Sequence, residues 1–311
     1  MSNLFTSFNA VLPYLLYLCL GHFAHRFHLM DDQFSKQLNT LIFRLFYPVT
    51  MFVNTYTISF DSTVHPSFLL FVTFLLVGVI ALSMFMVPHF IIDNRRKGAV
   101  VHCPYRSNIV LFAMGLTEAL YGKEALAAAS LIVAVFVPLY NVAAVMILEY
   151  YRGGKADLSI LLSILKNLML IGAVSGILFS LLLVEMPASI ADILSDLSGV
   201  TTPLAMMVLG ATLSFSALND DRKCIVCTIV VKMILIPLCA LLVSFALSFS
   251  SLEVFLSFIV FATPVAANAY TMSENMEADG ALAGEIVATS MVVSLVTLFA
   301  WIVILQNIGI I

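Results

Sequence analysis

Charged residues are scarce in this chain of 311 residues, since 10% are Asp, Glu, Lys or Arg and 62% are hydrophobic. A soluble domain usually has about a quarter charged and about half apolar residues. So few charged side chains cannot cover the surface of a water-soluble globule. The composition therefore excludes a soluble enzyme, a secreted disulfide-rich scaffold and a disordered chain. It indicates an integral membrane protein.

The sequence also lacks the motifs of several functional classes. The net charge of -4 is small and dispersed, so we expect no nucleic-acid partner. No GxxxxGK[ST] pattern is present, which predicts that the chain does not itself hydrolyse nucleotide. The five cysteines contain one CxxC, Cys224 to Cys227, without a second one, so ordinary helix packing is favoured over a metal or redox role. No cofactor is predicted.

Hydropathy divides the chain into ten candidate membrane spans joined by short loops. Each is close to the length of about 20 residues that an α-helix needs to cross the hydrocarbon core. The predicted spans are 8–25, 36–54, 67–88, 99–121, 125–148, 158–183, 187–213, 223–248, 253–273 and 281–305. Because the loops leave no room for a soluble domain, any binding site must lie within the membrane body or at its faces.

Basic residues are concentrated in the odd-numbered loops. The second, sixth and eighth loops contain no Lys or Arg, and the fourth has only Lys123. The positive-inside rule then assigns the odd loops to the cytoplasm and both termini to the outside. The basic residues of the odd loops are Arg26, Lys36, Arg95, Arg96, Lys97, Arg152, Lys155, Arg222 and Lys223.

Two halves of five spans each, 1–155 and 156–311, show weak internal similarity. The run that begins at Pro48 in span two is echoed 155 residues later at Pro203 in span seven. Similarly, span four has Pro104 and span nine has Pro264, each followed four residues later by an asparagine. Repeats with an odd number of spans insert with opposite orientations, so the sequence predicts an inverted repeat within one membrane domain.

The prolines in spans four and nine predict interrupted helices. A proline inside a helix removes a backbone hydrogen bond, and in lipid the freed groups must line a cavity or contact protein. Interruptions at matching places in inverted halves therefore predict a polar site near the membrane midplane. The free N–H groups at the start of each second half-helix favour an anion there.

Three stretches resemble the auxin efflux carrier family, especially its bacterial members, often described as malate or malonate permeases. They extend from Tyr105 through Asn108 to Gly122, from Thr202 to Leu213, and from Thr263 through Tyr270 to Thr297. The resemblance implies a ten-helix, all-α transporter of two inverted five-helix repeats, with crossing broken helices four and nine. It also implies small organic anions as substrates, such as malate, malonate, lactate or auxin. One departure is Ala113-Met114-Gly115, where relatives commonly have Gly-Leu-Pro.

Asn108 and Asn268 are the strongest predicted substrate contacts, because amide donors can bind a carboxylate. The alternative is that both only satisfy the broken backbone. Asn141, which follows Pro138 and Tyr140, resembles a family position that faces the crossover. With Pro264, it completes the neutral part of the predicted substrate site.

For each of three charged residues the sequence leaves two roles open. Arg106 could neutralise an anionic substrate, or it could extend to the cytoplasmic surface from near the third loop. Lys232 lies about ten residues, or ~15 Å, into span eight, which makes it a candidate for ion coupling unless its stem reaches the interface. Glu118 could exchange protons, although a capping or interfacial role is favoured.

The sequence thus predicts a gradient- or potential-driven secondary transporter of small organic anions with alternating access, coupled to H+ or Na+ if it catalyses uptake. Both termini would lie outside a plasma membrane, and a homodimer is left open. One alternative is a membrane-embedded sensor that binds without transport. The other is a metal-dependent membrane enzyme that uses His22, His25 and His28 with the following aspartates, although no metal site is favoured.

Overall fold

The computed structural model describes residues 2–57, 64–122, 125–153, 166–212 and 221–311. Within these ranges the regular elements are helices, together with one isolated β-bridge between Ser107 and Val265. The all-α class predicted from the sequence is therefore confirmed for the described part of the chain. The helices are α1 (Ser2–Arg26), α2 (Asp32–Leu41), α3 (Tyr47–Tyr56), α4 (Pro66–Phe90), α5 (Asn94–His102), α6 (Ile109–Tyr121), α7 (Leu126–Gly153), α8 (Leu168–Leu181), α9 (Ala188–Thr212), α10 (Arg222–Val230), α11 (Ile236–Ala246), α12 (Ser251–Ala262), α13 (Asn268–Asn275) and α14 (Gly280–Asn307).

Five stretches of helix in the described residues are long and apolar enough to cross a membrane. They are Pro66–Phe90, Leu126–Gly153, Ala188–Thr212, Arg222–Ala246 and Gly280–Asn307. The count of ten spans, the inverted repeat and the division at residue 155 stay predictions.

Both interruptions expected from the prolines are present in the structure. The predicted span four consists of α5 and α6, separated by 103–108, and the predicted span nine consists of α12 and α13, separated by 263–267. The helix resumes at Ile109 and continues through the Ala113-Met114-Gly115 stretch. The family's usual glycine and proline there are therefore not needed to interrupt this span.

Two π-helical turns mark other prolines. The turn Ile42–Phe46 joins α2 to α3 just before Pro48, and the turn Val231–Leu235 joins α10 to α11 just before Pro237. Proline has no N–H and its ring clashes with the preceding turn, so the chain widens locally to continue in the same direction. Each π-helical turn also changes which side chains face the protein interior.

Small residues allow two pairs of helices to approach closely. α1 packs against α9, where Gly21 faces the Met207 carbonyl and Gly210 faces the Leu18 carbonyl. α3 packs against α8, where Gly172 faces the Pro48 carbonyl. Helices in lipid associate largely by such close packing. α9 also contacts α3, so α1, α3, α8 and α9 form one group, which we call the flanking group.

α12 lies in the interior of the protein, since Glu253 to Ala262 are all buried. α12 contacts α6, α7 and α11, while α13 packs against α14 and α5 against α7. A helix that is buried on all sides lies at the centre of its domain. We call α4 to α7 and α10 to α14 the central group. Both interrupted spans belong to it.

Ion pairs join four connecting segments at one end of the central group. Arg96, at the start of α5, pairs with Asp221, and Arg152, at the end of α7, pairs with Glu277 in the segment after α13. Arg95 donates from Nε to the Glu277 carbonyl at 3.1 Å. Arg95, Arg96, Arg152, Asp221 and Glu277 lie in or beside the predicted loops three, five, seven and nine, so the structure brings described residues of these odd loops together.

The glycine contacts of the flanking group predict which substitutions the fold tolerates. Gly210→Leu should lower the thermal unfolding midpoint, since its side chain meets the Leu18 backbone and overpacking costs about 1–3 kcal/mol. Gly78→Leu, in the middle of α4, is the matched control, because a Cβ there meets nothing within 4 Å. Unfolding in detergent, followed by fluorescence, measures both. Equal midpoints for the two variants would contradict the packing assigned to α1 and α9.

Candidate functional site

The two interruptions pair with each other through their backbones. The Asn108 N–H donates to the Pro264 carbonyl at 2.9 Å, and the Ala266 N–H donates to the Arg106 carbonyl at 3.2 Å. This antiparallel pairing satisfies backbone groups that lack partners within their own helices. We call residues 103–108 and 263–267 together the crossover.

The second half-helices both begin at the crossover. Asn108 precedes α6 and Ala267 precedes α13, and in this described region neither side chain caps the first turn of its helix. Uncapped N–H groups at a helix N-terminus carry partial positive charge and attract anions. Asn108, Val110, Ala267 and Asn268, at the starts of α6 and α13, all line an adjoining cavity. The helix ends therefore contribute positive potential to that cavity.

The cavity has a volume of about 500 Å³ and lies between the two helix groups. The flanking group contributes both apolar and hydroxyl side chains. The central group contributes the crossover and the middle of α7. The lining residues of the flanking group include Pro13, Tyr17, Tyr47, Thr50, Met51, Asn54, Ser198, Thr202 and Pro203, and those of the central group include Arg106, Ser107, Asn108, Val137, Tyr140, Asn141 and Asn268.

Arg106 supplies the positive charge of the cavity. Its side chain is 1% exposed, and Nε donates to Asn268 Oδ1 at 2.7 Å while Nη2 donates to Asn141 Oδ1 at 2.5 Å. None of the ion pairs among the described residues includes Arg106. The alternative in which Arg106 extends to the membrane surface is wrong, because the two amides hold its guanidinium at the crossover.

The three predicted asparagines meet around the cavity with different contacts. Asn141 and Asn268 present their oxygens to Arg106, and Asn141 Nδ2 also donates to the Val137 carbonyl at 2.8 Å. Asn108 is 7% exposed, and its Nδ2 has no hydrogen-bond partner among the described residues. Asn141 and Asn268 thus hold the guanidinium, whereas the amide nitrogen of Asn108 is left without a partner among the described residues.

The other predicted site residues are not part of the cavity lining. Pro264 is buried and contributes its carbonyl to the crossover. Glu118 is exposed near the end of α6, away from the cavity. Lys232 is fully buried and donates from Nζ to the Ser107 hydroxyl, so its stem does not reach the interface. Of the two predicted ion-coupling residues, only Lys232 contacts the crossover.

Several lining residues were missed by sequence reasoning. Ser107 lies between Arg106 and Asn108, which were both predicted as site residues, and Tyr140 directly precedes Asn141. Thr50 lies in the echoed run of span two, and its hydroxyl bonds to that of Thr201 at 2.8 Å. The proline and asparagine positions were the only signal that could have located these hydroxyls.

The alternative of a metal-dependent enzyme depended on His22, His25 and His28, near the end of α1. His25 Nε2 lies 3.3 Å from Asp32 Oδ1, and the His25 side chain is partly exposed whereas that of Asp32 is largely exposed. Among the described residues, no three His, Cys, Asp or Glu side chains are grouped closely enough to hold a metal ion.

Comparison with known proteins agrees with the resemblance. A family model described as a membrane transport protein matches residues 6–302. An uncharacterized transporter from Methanocaldococcus jannaschii is 30% identical over 224 residues, which cover 68% of this chain and 70% of that protein. The chain therefore belongs to the membrane transport protein family, whose members are auxin efflux carrier-like permeases.

Proposed function

We propose that this membrane transporter is a secondary transporter of small organic anions, and that Arg106 binds the anionic group. The observation that supports this most directly is a buried guanidinium beside a cavity, with no carboxylate paired to it among the described residues. Removing a charge from water costs several kcal/mol, and a partner of opposite charge offsets that cost. A bound anion supplies such a partner.

The neighbouring groups define how the anion would be held. Arg106 keeps N–H groups that its bonds to Asn141, to Asn268 and to the Tyr140 carbonyl do not use, since a guanidinium has five donors. The Asn108 amide adds a further donor at the same place, and the N-terminal ends of α6 and α13 add partial positive charge. The apolar walls, which include Met51, suit the carbon skeleton of a mono- or dicarboxylate such as malate, malonate, lactate or an auxin-like acid.

The position of the cavity between two helix groups supports alternating access. A relative movement of the flanking and central groups would open the cavity first to one side of the membrane and then to the other. Because the sequence has no nucleotide-binding P-loop, the energy would come from ion gradients or the membrane potential. An inside-negative potential favours anion exit by ~2.3 kcal/mol per charge per 100 mV, whereas uptake requires H+ or Na+. We assign no enzymatic activity to the chain.

The ligand-sensor alternative predicts binding without flux. Purified protein in liposomes, with labelled malate, malonate, lactate and an indole carboxylic acid, tests both functions under a separately imposed pH gradient or potential. The proposal expects saturable flux of at least one compound. A response to the pH gradient alone indicates proton coupling, and a response to potential alone indicates a uniporter. Saturable binding of a compound that never crosses the liposome membrane would contradict the transporter function and indicate a sensor.

Arg106→Gln should weaken binding and flux of the transported carboxylate at least tenfold, because the variant loses the charge that faces the cavity. Tenfold corresponds to about 1.4 kcal/mol. Arg26→Gln is the control, since Arg26 is exposed at the end of α1. Equilibrium binding in detergent and flux in liposomes measure the effect. Wild-type affinity in Arg106→Gln would contradict the assigned anion contact.

Asn108→Ala and Asn268→Ala should each reduce flux strongly while the protein still expresses and remains monodisperse. The first variant removes a free donor, and the second frees the guanidinium from one of its two amide partners. Asn275→Ala is the matched control on α13, because Asn275 bonds to the carbonyl of Thr271 in its own helix. Unchanged transport in both site variants would remove the asparagines from the substrate site.

We also propose a plasma-membrane location with ten spans and both termini outside. Single cysteines at Asn94 and Glu185, two exposed positions in loops three and six, test this in an otherwise cysteine-free chain. A membrane-impermeant maleimide should label Glu185→Cys on intact cells, and Asn94→Cys only after permeabilisation. Labelling of both positions from the same side would contradict the topology.

A further inference from the structure

Lys232 is a second buried basic residue at the crossover. It lies in the π-helical turn between α10 and α11, its side chain is 0% exposed, and Nζ donates to the Ser107 hydroxyl. None of the ion pairs within the described residues includes Lys232. The π-helical turn contacts α12 and α14, so the lysine faces the centre of its helix group rather than lipid.

The burial of this lysine has a cost that packing alone does not offset. An apolar side chain of similar volume would avoid the desolvation of the ammonium, and replacing buried charges in this way is often neutral or stabilising. Ionisable residues within membrane segments therefore mark functional sites. Lys232 does not line the cavity, so it must act through a neighbouring group.

Ser107 is the neighbour that connects Lys232 to the cavity. An ammonium can only donate hydrogen bonds, so the Ser107 oxygen accepts from Lys232 and the Ser107 proton must be donated elsewhere. Ser107 lines the cavity between Arg106 and Asn108. The Tyr140 hydroxyl lies near Ser107 and donates its own proton to the Val260 carbonyl at 2.9 Å, which leaves its oxygen as an acceptor for Ser107 when the cavity holds no anion.

We propose that Lys232 is a positioning residue of the anion site, which directs and strengthens the Ser107 hydroxyl as a donor to the bound carboxylate. This inference rests on the proposed anion transport. A donor that itself accepts from a cation is polarised and bonds more strongly to an anionic oxygen. Arg106 and Asn108 then hold the carboxylate from either side of Ser107. The site thus has two cations, one at the cavity wall and one that acts through a hydroxyl.

A double-mutant cycle tests this connection with Lys232→Met, Ser107→Ala and the combined variant. The ligand is whichever of labelled malate, malonate, lactate or an indole carboxylic acid the wild type binds most tightly. Each single variant should weaken binding about tenfold. The affinity of the combined variant should be no lower than that of the single variant that binds less tightly. The losses of binding free energy should not add, because Lys232 acts only through Ser107, so removing either residue already abolishes the same interaction.

The controls separate this role from a structural one. Ser244→Ala, a buried serine on α11 that bonds to Ser257, should bind the carboxylate as the wild type does. Lys232→Met should keep or raise the thermal unfolding midpoint while it loses affinity. Ethylammonium added to Lys232→Ala should restore part of the affinity, since it replaces the missing ammonium.

Two results would overturn the inference while the proposed function stands. One is wild-type affinity in Lys232→Met, and the other is losses that multiply in the combined variant. If the wild type binds and transports none of the four compounds, the proposed function fails, and the role of Lys232 fails with it. The wild-type measurement therefore distinguishes the two failures.

Discussion

The backbone pairing between the two interrupted helices is the constraint on which the site depends. A span that stops in the middle of a membrane leaves N–H and C=O groups that lipid cannot satisfy. Here the Asn108 N–H and the Ala266 N–H donate to carbonyls of the opposite interruption. Because each interruption satisfies the other, α6 and α13 can begin at one place inside the protein. The side chains of Arg106 and Ser107 are held there by the same pairing.

This arrangement brings basic side chains and the starts of two helices together at one place in the described part of the chain. Two basic side chains, those of Arg106 and Lys232, are buried within the described residues without a paired carboxylate, and the starts of two helices add their partial charges. The surrounding amides and hydroxyls orient the cations but do not neutralise them. A bound anion would supply the missing opposite charge, and for this reason we propose organic anions as the substrates.

The cavity is lined by both helix groups, the flanking group and the central group. Glycines let α1 approach α9 and α3 approach α8, so the flanking group is closely packed. The central group has its own centre at the fully buried α12. The cavity is lined by residues of both groups, and this position is the basis for the alternating access that we propose.

Sequence reasoning predicted the features that follow from local chemistry. Pro104 and Pro264 located both interruptions, and Asn108, Asn141 and Asn268 do meet at one cavity. The direction of a side chain at an interruption depends on tertiary pairing, which spacing does not show. Arg106 therefore was open to an interpretation as a surface residue, and Ser107 was missed although it lies beside it. For Glu118 a capping or interfacial role was favoured over proton exchange, and the structure places this side chain in an exposed position near the end of α6.

A structure of the purified protein with a transported carboxylate bound is the measurement that tests the central claim most directly. The account predicts the carboxylate in the cavity at the crossover, with its oxygens about 2.7–2.9 Å from the guanidinium nitrogens of Arg106. The Asn108 amide and the Ser107 hydroxyl should complete the contacts. A carboxylate bound elsewhere, with Arg106 paired to an acidic side chain of the protein itself, would contradict it.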